Sequence, residues 1–253
     1  MLYITGDTHG DVDMSNLSSR TLKRCCAEQN VDFHTITAAI VLGDFGLPWY
    51  DCAVDADGIH PTDKTDAYLL RWYNKKPFTI LAVMGNHDNY DVIEKLPEVS
   101  LFGGTALKVS RNIFYLKRGE VYTIEGKRFL VLGGAQSEDK AWRVPHESWW
   151  QQEEWTEAER VACFETIRQH GSQFDYILSH TGTTEAIAYI EADYQNEERL
   201  AELHQDSTVL FNDEVAASVS FKKWLFGHWH SDWGYEHRAE SRFIPLYHKG
   251  IVI

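Results

Sequence analysis

Five short apolar runs, each followed at once by a carboxylate, an amide or an imidazole, constrain this chain more than any other feature of it. The runs are Leu2–Thr5, Ala38–Leu42, Phe78–Met84, Asp175–Leu178 and Lys223–Phe226. Each has the length and aliphatic character of a buried strand. They lead into Gly6-Asp7-Thr8-His9-Gly10-Asp11, Gly43-Asp44-Phe45-Gly46, Gly85-Asn86-His87-Asp88, Ser179-His180 and Gly227-His228-Trp229-His230. Any one block reads equally well as a turn or a helix cap, because Gly, Asn and Asp form turns in their own right. As a set they read differently. Ligands of open α/β sheets gather outside the carboxyl ends of the strands, so the blocks are expected to converge on one place.

Between the runs, Ser15–Gln29, Thr62–Asn74, Tyr90–Leu96, Thr156–His170 and Asp213–Ser220 read as helices, with Thr156 as an N-cap and Gly171 as a stop. Phe102-Gly103-Gly104 opens a series of strand-like segments, Ile113–Leu116, Val121–Ile124 and Arg128–Leu132, with a hairpin turn at Gly126-Lys127. The change from βα units to hairpins there predicts a second sheet. Phe243–Tyr247 and Ile251–Ile253 read as closing strands. Residues 47–63, rich in Pro, Gly and Asp, read as a long loop, and residues 181–206 as a polar, partly helical surface insertion. No repeat or linker divides the chain. Its 253 residues are expected to form a single α/β domain, residues 1–253.

The formal charge, 24 basic against 38 acidic residues, is −14 and argues against a nonspecific polyanion binder, which needs a basic surface. It does not exclude a phosphate substrate, because a metal site supplies positive field locally. Cys25, Cys26, Cys52 and Cys163 form no CxxC pair and read as the reduced thiols of a cytoplasmic protein. Asp7 follows Met1 so closely that no signal peptide is expected before the fold, and no apolar run reaches the roughly 18 residues of a membrane span.

Asp7 and His9, two apart, share a face of an extended segment, which suits two ligands on one ion. A carboxylate at the strand end of Asp44 can bridge two cations. Asp7, His9, Asp44, Asn86, His87, His180, His228 and His230 together offer seven oxygen and nitrogen ligands and a spare histidine, which suits two divalent ions. Many imidazoles and no thiolates favour Mn²⁺, Fe or Zn²⁺ over Mg²⁺. His34, His60, His146, His170, His204, His237 and His248 are assigned to core or surface.

The ordered set D-x-H, GD, GNH-D, a lone His and GHxH, spanning Asp7 to His230, resembles the calcineurin-like metallophosphoesterase superfamily. The resemblance implies a four-layer αββα sandwich, two mixed sheets flanked by helices. It implies a dinuclear metal centre with a bridging hydroxide that attacks phosphorus in line. It also implies the roles. Asp7, His9 and His230 would bind one ion, Asn86, His180 and His228 the other, and Asp44 both. His87 would stabilise or protonate the leaving group, and Asp88 would orient His87 by a hydrogen bond. Gly133-Gly134-Ala135 with Ser137, Asp139 and Arg143 looks like a GGAxSxDxxxR run of some bacterial and phage-related members, and Arg143 is the candidate phosphate clamp.

Asp44 is followed by Phe45-Gly46-Leu47-Pro48 and not by the longer Arg-containing block of the phosphoprotein phosphatases, which disfavours that subgroup and the diadenosine-tetraphosphate hydrolases. The expected activity is that of a phosphodiesterase or phosphatase on nucleotides or small phosphoesters. The alternatives are a nuclease acting on DNA or RNA ends and a non-catalytic scaffold of the same fold. The acidic charge speaks against the nuclease, and the complete ligand set against the scaffold. Trp49, Trp142, Trp149 and Trp150 could stack on a base or simply pack, and the Trp142–Trp155 segment reads as an interface, a lid or neither.

Overall fold

The computed structural model describes residues 1–194 and 206–253. Its strands are β1 (Leu2–Thr5), β2 (Ala38–Val41), β3 (Ala53–Asp55), β4 (Gly58–His60), β5 (Thr79–Ala82), β6 (Glu98–Leu101), β7 (Gly104–Ser110), β8 (Ile113–Leu116), β9 (Val121–Ile124), β10 (Lys127–Leu132), β11 (Gln173–Ser179), β12 (Ser220–Phe226), β13 (Phe243–Pro245) and β14 (Ile251–Val252). Among the described residues they build a seven-stranded sheet, β14-β1-β2-β5-β8-β7-β6, and a five-stranded sheet, β13-β12-β11-β10-β9. The small β3-β4 hairpin stands apart. Strands β1, β2, β5 and β8 run parallel, as do β10 to β13, while β14, β6, β7 and β9 pair antiparallel.

The two-residue period of a strand sends alternate side chains to opposite faces, and both faces are buried here. Leu2, Ile4, Ala38, Ile40, Leu81 and Val83 meet Phe129, Val131, Leu178 and Leu225 in a core between the sheets. The alternate residues of the first sheet, Tyr3, Ala39, Val41, Ile80 and Ala82, face Leu22, Cys25, Cys26, Leu69 and Tyr73. Those partners come from helices α1 (Ser19–Glu28) and α2 (Lys64–Tyr73); a short α3 (Tyr90–Ile93) adds Val92 and Ile93. On the far side, Leu130, Leu132, Ile177, Trp224 and Phe226 pack against Cys163, Ile167, Ala186, Phe211 and Val215, from α4 (Glu157–His170), α5 (Thr184–Tyr194) and α6 (Ser207–Ser218). Helix, sheet, sheet and helix stack in that order, the four-layer sandwich that the motifs imply.

Several elements differ from their sequence reading. The helix expected from Ser15 breaks into a 3-10 turn at Met14–Leu17 and α1, because Ser18 turns extended and caps α1 through the Thr21 N–H. The second sheet starts at β9, later than the change of pattern suggests, since β7 and β8 still belong to the first sheet. Of Phe102-Gly103-Gly104, Gly104 opens β7, as read, and Phe102-Gly103 precedes it. With φ of 53° and 88° that pair is the tight turn between β6 and β7, and β6, a half-exposed strand at the sheet edge, carried no apolar signal. The loop 47–63 contains the β3-β4 hairpin. Helix α6 starts at Ser207, well before Asp213, because Asp206 accepts from the Thr208 and Val209 N–H groups. Of the insertion read at 181–206, α5 buries Ala186, Ile187 and Ile190 and so belongs to the core, while residues 195–205 lie outside the described residues. No helix among the described residues is long and apolar enough to cross a membrane.

Candidate metal centre

The parallel strands β1, β2 and β5 of one sheet and β11 and β12 of the other end on the same rim, and their first loop residues meet there. Asp7, His9 and His230 bring ligand atoms within 4.8 Å of one another, and so do Asp7, Asp44 and His180. His230 Nε2 lies 3.2 Å from Asp7 Oδ2, His9 Nε2 lies 3.5 Å from Asp44 Oδ2, and His180 Nε2 lies 3.3 Å from Asp44 Oδ1. Asn86 Oδ1 is 2.9 Å from His180 Nε2, and the His228 ring packs 5.0 Å from that of His180.

The backbone is bent to achieve this. His9, Asp44, His228 and His230 all have left-handed φ, between 43° and 65°. For a residue with a side chain that conformation costs of order 1–3 kcal/mol and is kept where a site requires it. The motif glycines serve a different need. A Cβ on Gly85 would stand 2.1 Å from Asp44 Oδ1, and one on Gly227 2.1 Å from Asp7 Oδ1. The two carboxylates fit only because those positions carry no side chain. Asp44 Oδ1 also accepts from the His87 N–H at 2.7 Å, and both Asp7 oxygens accept from the His228 N–H.

The donor chemistry fits a cation. His180 Nδ1 lies 2.7 Å from the Leu42 carbonyl, so it carries the proton and Nε2 presents a lone pair. The Asn86 amide donates through Nδ2 to Ser137 Oγ at 3.0 Å, so its oxygen faces inward. His180 Nε2, Asn86 Oδ1 and Asp44 Oδ1 are then three acceptors aimed at one another with no donor between them. Only a cation or an added proton satisfies such a set. In the protein alone a proton takes that place. Burial pushes the His180 pKa down, but Asp44 and then Asp7 raise it to about 10. His9 follows the same balance to about 9. Burial would raise Asp44, yet His180 and His9 hold it well below the usual carboxylate range. Loss of hydration and then His180 hold His228 well below the ordinary histidine value.

His87 stands at the edge of the cluster, its ring 5.7 Å from that of His9. The hydrogen bond expected from Asp88 is not made. Asp88 is fully buried and accepts from the Gly46 and Gly85 N–H groups and the Tyr115 hydroxyl, at 2.9, 2.7 and 3.0 Å. Burial and then Asp44 push its pKa up to about 6. Asp88 therefore ties the β2 and β5 loops together, and the partner of His87 is Arg143, whose Nη2 lies 2.7 Å from His87 Nε2. Arg143 is held in turn by Asp139 at Nε, 2.5 Å, and by the Ser148 carbonyl at Nη1, 2.8 Å. Burial, opposed by Asp44 and aided by Arg143, lowers the His87 pKa.

Three further side chains escaped the sequence reading. Asp13 receives His9 Nδ1 and the Tyr247 hydroxyl on the same oxygen, each at 3.2 Å, and so turns His9 Nε2 toward the cluster. Tyr247 stacks on His230 at 4.4 Å. Glu153, fully buried, reaches Ser137. Asp13 lies only four residues after His9 and was near enough in sequence to be suspected, whereas Tyr247 and Glu153 carry no local signal.

Carboxylates and imidazoles gathered on the facing strand ends of two packed sheets form, at the rim of an α/β sandwich, groups that could hold metal ions. The family profile of the calcineurin-like phosphoesterases matches residues 2–232, and the chain belongs to that family. It is a phosphoesterase, and metal-dependent phosphoester hydrolysis is its reaction class. A comparison with curated proteins finds no significant match.

Proposed function

We propose that the protein hydrolyses nucleotides or other small phosphoesters, as a phosphodiesterase or phosphatase, with two divalent ions, Mn²⁺ foremost. One ion is assigned to Asp7, His9 and His230, the other to Asn86, His180 and His228, with Asp44 between them. The observation that carries this reading is the set of lone pairs without donors at His180, Asn86 and Asp44. When bound, the two ions supply a Lewis acid and a nucleophilic oxygen at neutral pH.

The chain's own groups do the rest. Arg143, anchored at Nε and Nη1, points its remaining Nη2 at His87 Nε2. A phosphoryl oxygen entering there meets a prepositioned guanidinium, and charge developing on the leaving oxygen falls between guanidinium and imidazole. Asp88 and Tyr115 keep the Gly85 turn that carries both Asn86 and His87.

A cavity of about 250 Å³ opens from His9 and His87 toward Trp49 and Tyr50 and is also lined by Asp11 and Asp66. None of its lining residues is Lys or Arg. Trp49 is held in place, because its N–H and that of Tyr50 both reach Asp66 Oδ2 and its carbonyl accepts from Asn89. Such a wall suits an organic group of the substrate, a base or a small alcohol, and repels a second phosphate. The test is hydrolysis of bis-p-nitrophenyl phosphate and p-nitrophenyl phosphate side by side, with Mn²⁺ and after metal stripping. Mn²⁺-dependent release from either is expected, with diester preference marking a phosphodiesterase and monoester preference a phosphatase. Silence on both, with ions bound, contradicts hydrolysis of small phosphoesters.

A further inference from the structure

Outside the ligand set, the described residues hold one buried polar chain that reaches the centre from the opposite side. Glu153 Oε1 accepts from the Ser137 N–H at 2.9 Å, and Oε2 accepts from the Ser137 hydroxyl at 2.7 Å. Ser137 Oγ in turn accepts from Asn86 Nδ2 at 3.0 Å. All three residues are buried, Glu153 completely. We infer that Ser137 and Glu153 are positioning residues that set the direction of the Asn86 amide and thereby create one of the two ion sites. The inference rests on the proposed metal centre and goes beyond it, because neither residue is a ligand.

A serine hydroxyl has a single proton. A carboxylate can only accept, so the Ser137 proton goes to Glu153, and what Ser137 offers Asn86 is a lone pair. An amide facing a lone pair must present its NH₂ group. Its oxygen is then turned to the other side, 2.9 Å from His180 Nε2. Reversed, the same amide would put two N–H groups among the acceptors and offer no ligand atom. The carboxylate thus sets the polarity of the hydroxyl, and the hydroxyl that of the amide whose oxygen would face the ion.

Glu153 is itself tightly placed. Arg118, paired with Glu159 at 2.6 Å, donates to the carbonyls of Gln152 and Glu154 on either side of it, at 2.9 and 3.3 Å. The Trp155 indole donates to the Gly133 carbonyl at 2.8 Å. A Cβ on Gly134 would stand 2.1 Å from the Glu153 carbonyl, so the Gly134 and Glu153 segments touch backbone to backbone. This exceeds what is needed to satisfy a serine hydroxyl, which could as well face solvent.

Glu153→Gln keeps the shape but can donate to Ser137 Oγ, which frees the serine proton for Asn86 and favours the reversed amide. Ser137→Ala removes the link, and Ser137→Thr preserves it. The experiment is a calorimetric titration of metal-stripped protein with Mn²⁺ alone, with thermal unfolding of the metal-free forms alongside. The expected result is two sites in the unaltered protein and a selective loss of about 10–100-fold at one of them in Ser137→Ala and Glu153→Gln. The other site should be unchanged, and Ser137→Thr should be near normal. Equal weakening of both sites, or unchanged affinities with only a lower unfolding temperature, would overturn the positioning role. An unaltered protein that takes up no Mn²⁺ would instead overturn the metal centre beneath it. If Glu153→Gln does not fold, Ser137→Ala carries the same expectation.

Discussion

Asp44 sits in the middle of the site and Arg143 reaches its edge at His87, and the fold delivers them in different ways. Asp44 follows β2 directly, in a strained turn between packed strands, and three backbone or ring groups converge on its carboxylate. Arg143 lies well beyond β10, on an irregular arm from Gly133 to Trp155 that returns across the rim. The arm is secured by side chains. Trp150 is buried against Trp49 and donates to Asp91, while Asp139 and Ser148 hold Arg143. The strand ends thus form a site whose geometry the sheets impose, and the arm adds groups whose geometry depends on a few polar contacts. Changes to the first half should abolish chemistry, and changes to the second should retune it.

The sharpest way to break the contrast is Asp44→Asn. Loss of the shared carboxylate should remove Mn²⁺ uptake at both sites and reduce hydrolysis to background, measured by metal content and turnover of bis-p-nitrophenyl phosphate. Retained activity would mean that the strand ends are not the chemical centre. His87→Ala should keep both ions and slow turnover by about 10²-fold or more, the usual scale of general acid–base help. A normal rate on an ester with a poor leaving group would remove His87 from the reaction. Arg143→Ala deletes a charged donor from the arm and should cost about 10–100-fold in kcat/KM, with Lys a poor substitute because it cannot keep the Asp139 and Ser148 contacts together with the one to His87.

A last expectation concerns pH. Without metal, His9 and His180 hold protons up to about pH 9 and about pH 10. Ions must displace those protons, so Mn²⁺ uptake should release them and tighten by about tenfold per pH unit for each proton displaced, levelling above those values. The metal-free protein should behave inversely. Both histidines have pKa values raised by folding, so the stability they contribute is full below the ordinary histidine value of about 6.5 and falls as pH rises through about 9 to 10. Metal affinity and unfolding temperature against pH check both signs. Flat profiles would mean that the cluster is not protonated in the absence of metal.

The same contrast explains what the sequence disclosed. Apolar runs closing on Asp7, Asp44, Asn86, His180 and His228 are local patterns, because strand and polar residue are neighbours in the chain, and they carried both the sandwich and the family. The arm has no such pattern. Glu153 sits among tryptophans and glutamines and gains meaning only when it meets Ser137. Asp88 was legible as a site residue but not in its role, since its partners at Gly46 and Tyr115 come from other strands. The edge strand β6, with Glu98 and Ser100 exposed, buries too little to leave an apolar trace. Of the four tryptophans considered for base stacking, Trp150 is core and Trp142 is 90% exposed, a division that only the course of the arm decides.

The most direct measurement is anomalous diffraction from crystals grown or soaked with Mn²⁺. Two peaks about 3.5–4 Å apart are expected at the strand ends, one beside Asp7, His9 and His230, the other beside Asn86, His180 and His228, with Asp44 between them. A single peak, or peaks away from these strand ends, would contradict the dinuclear centre.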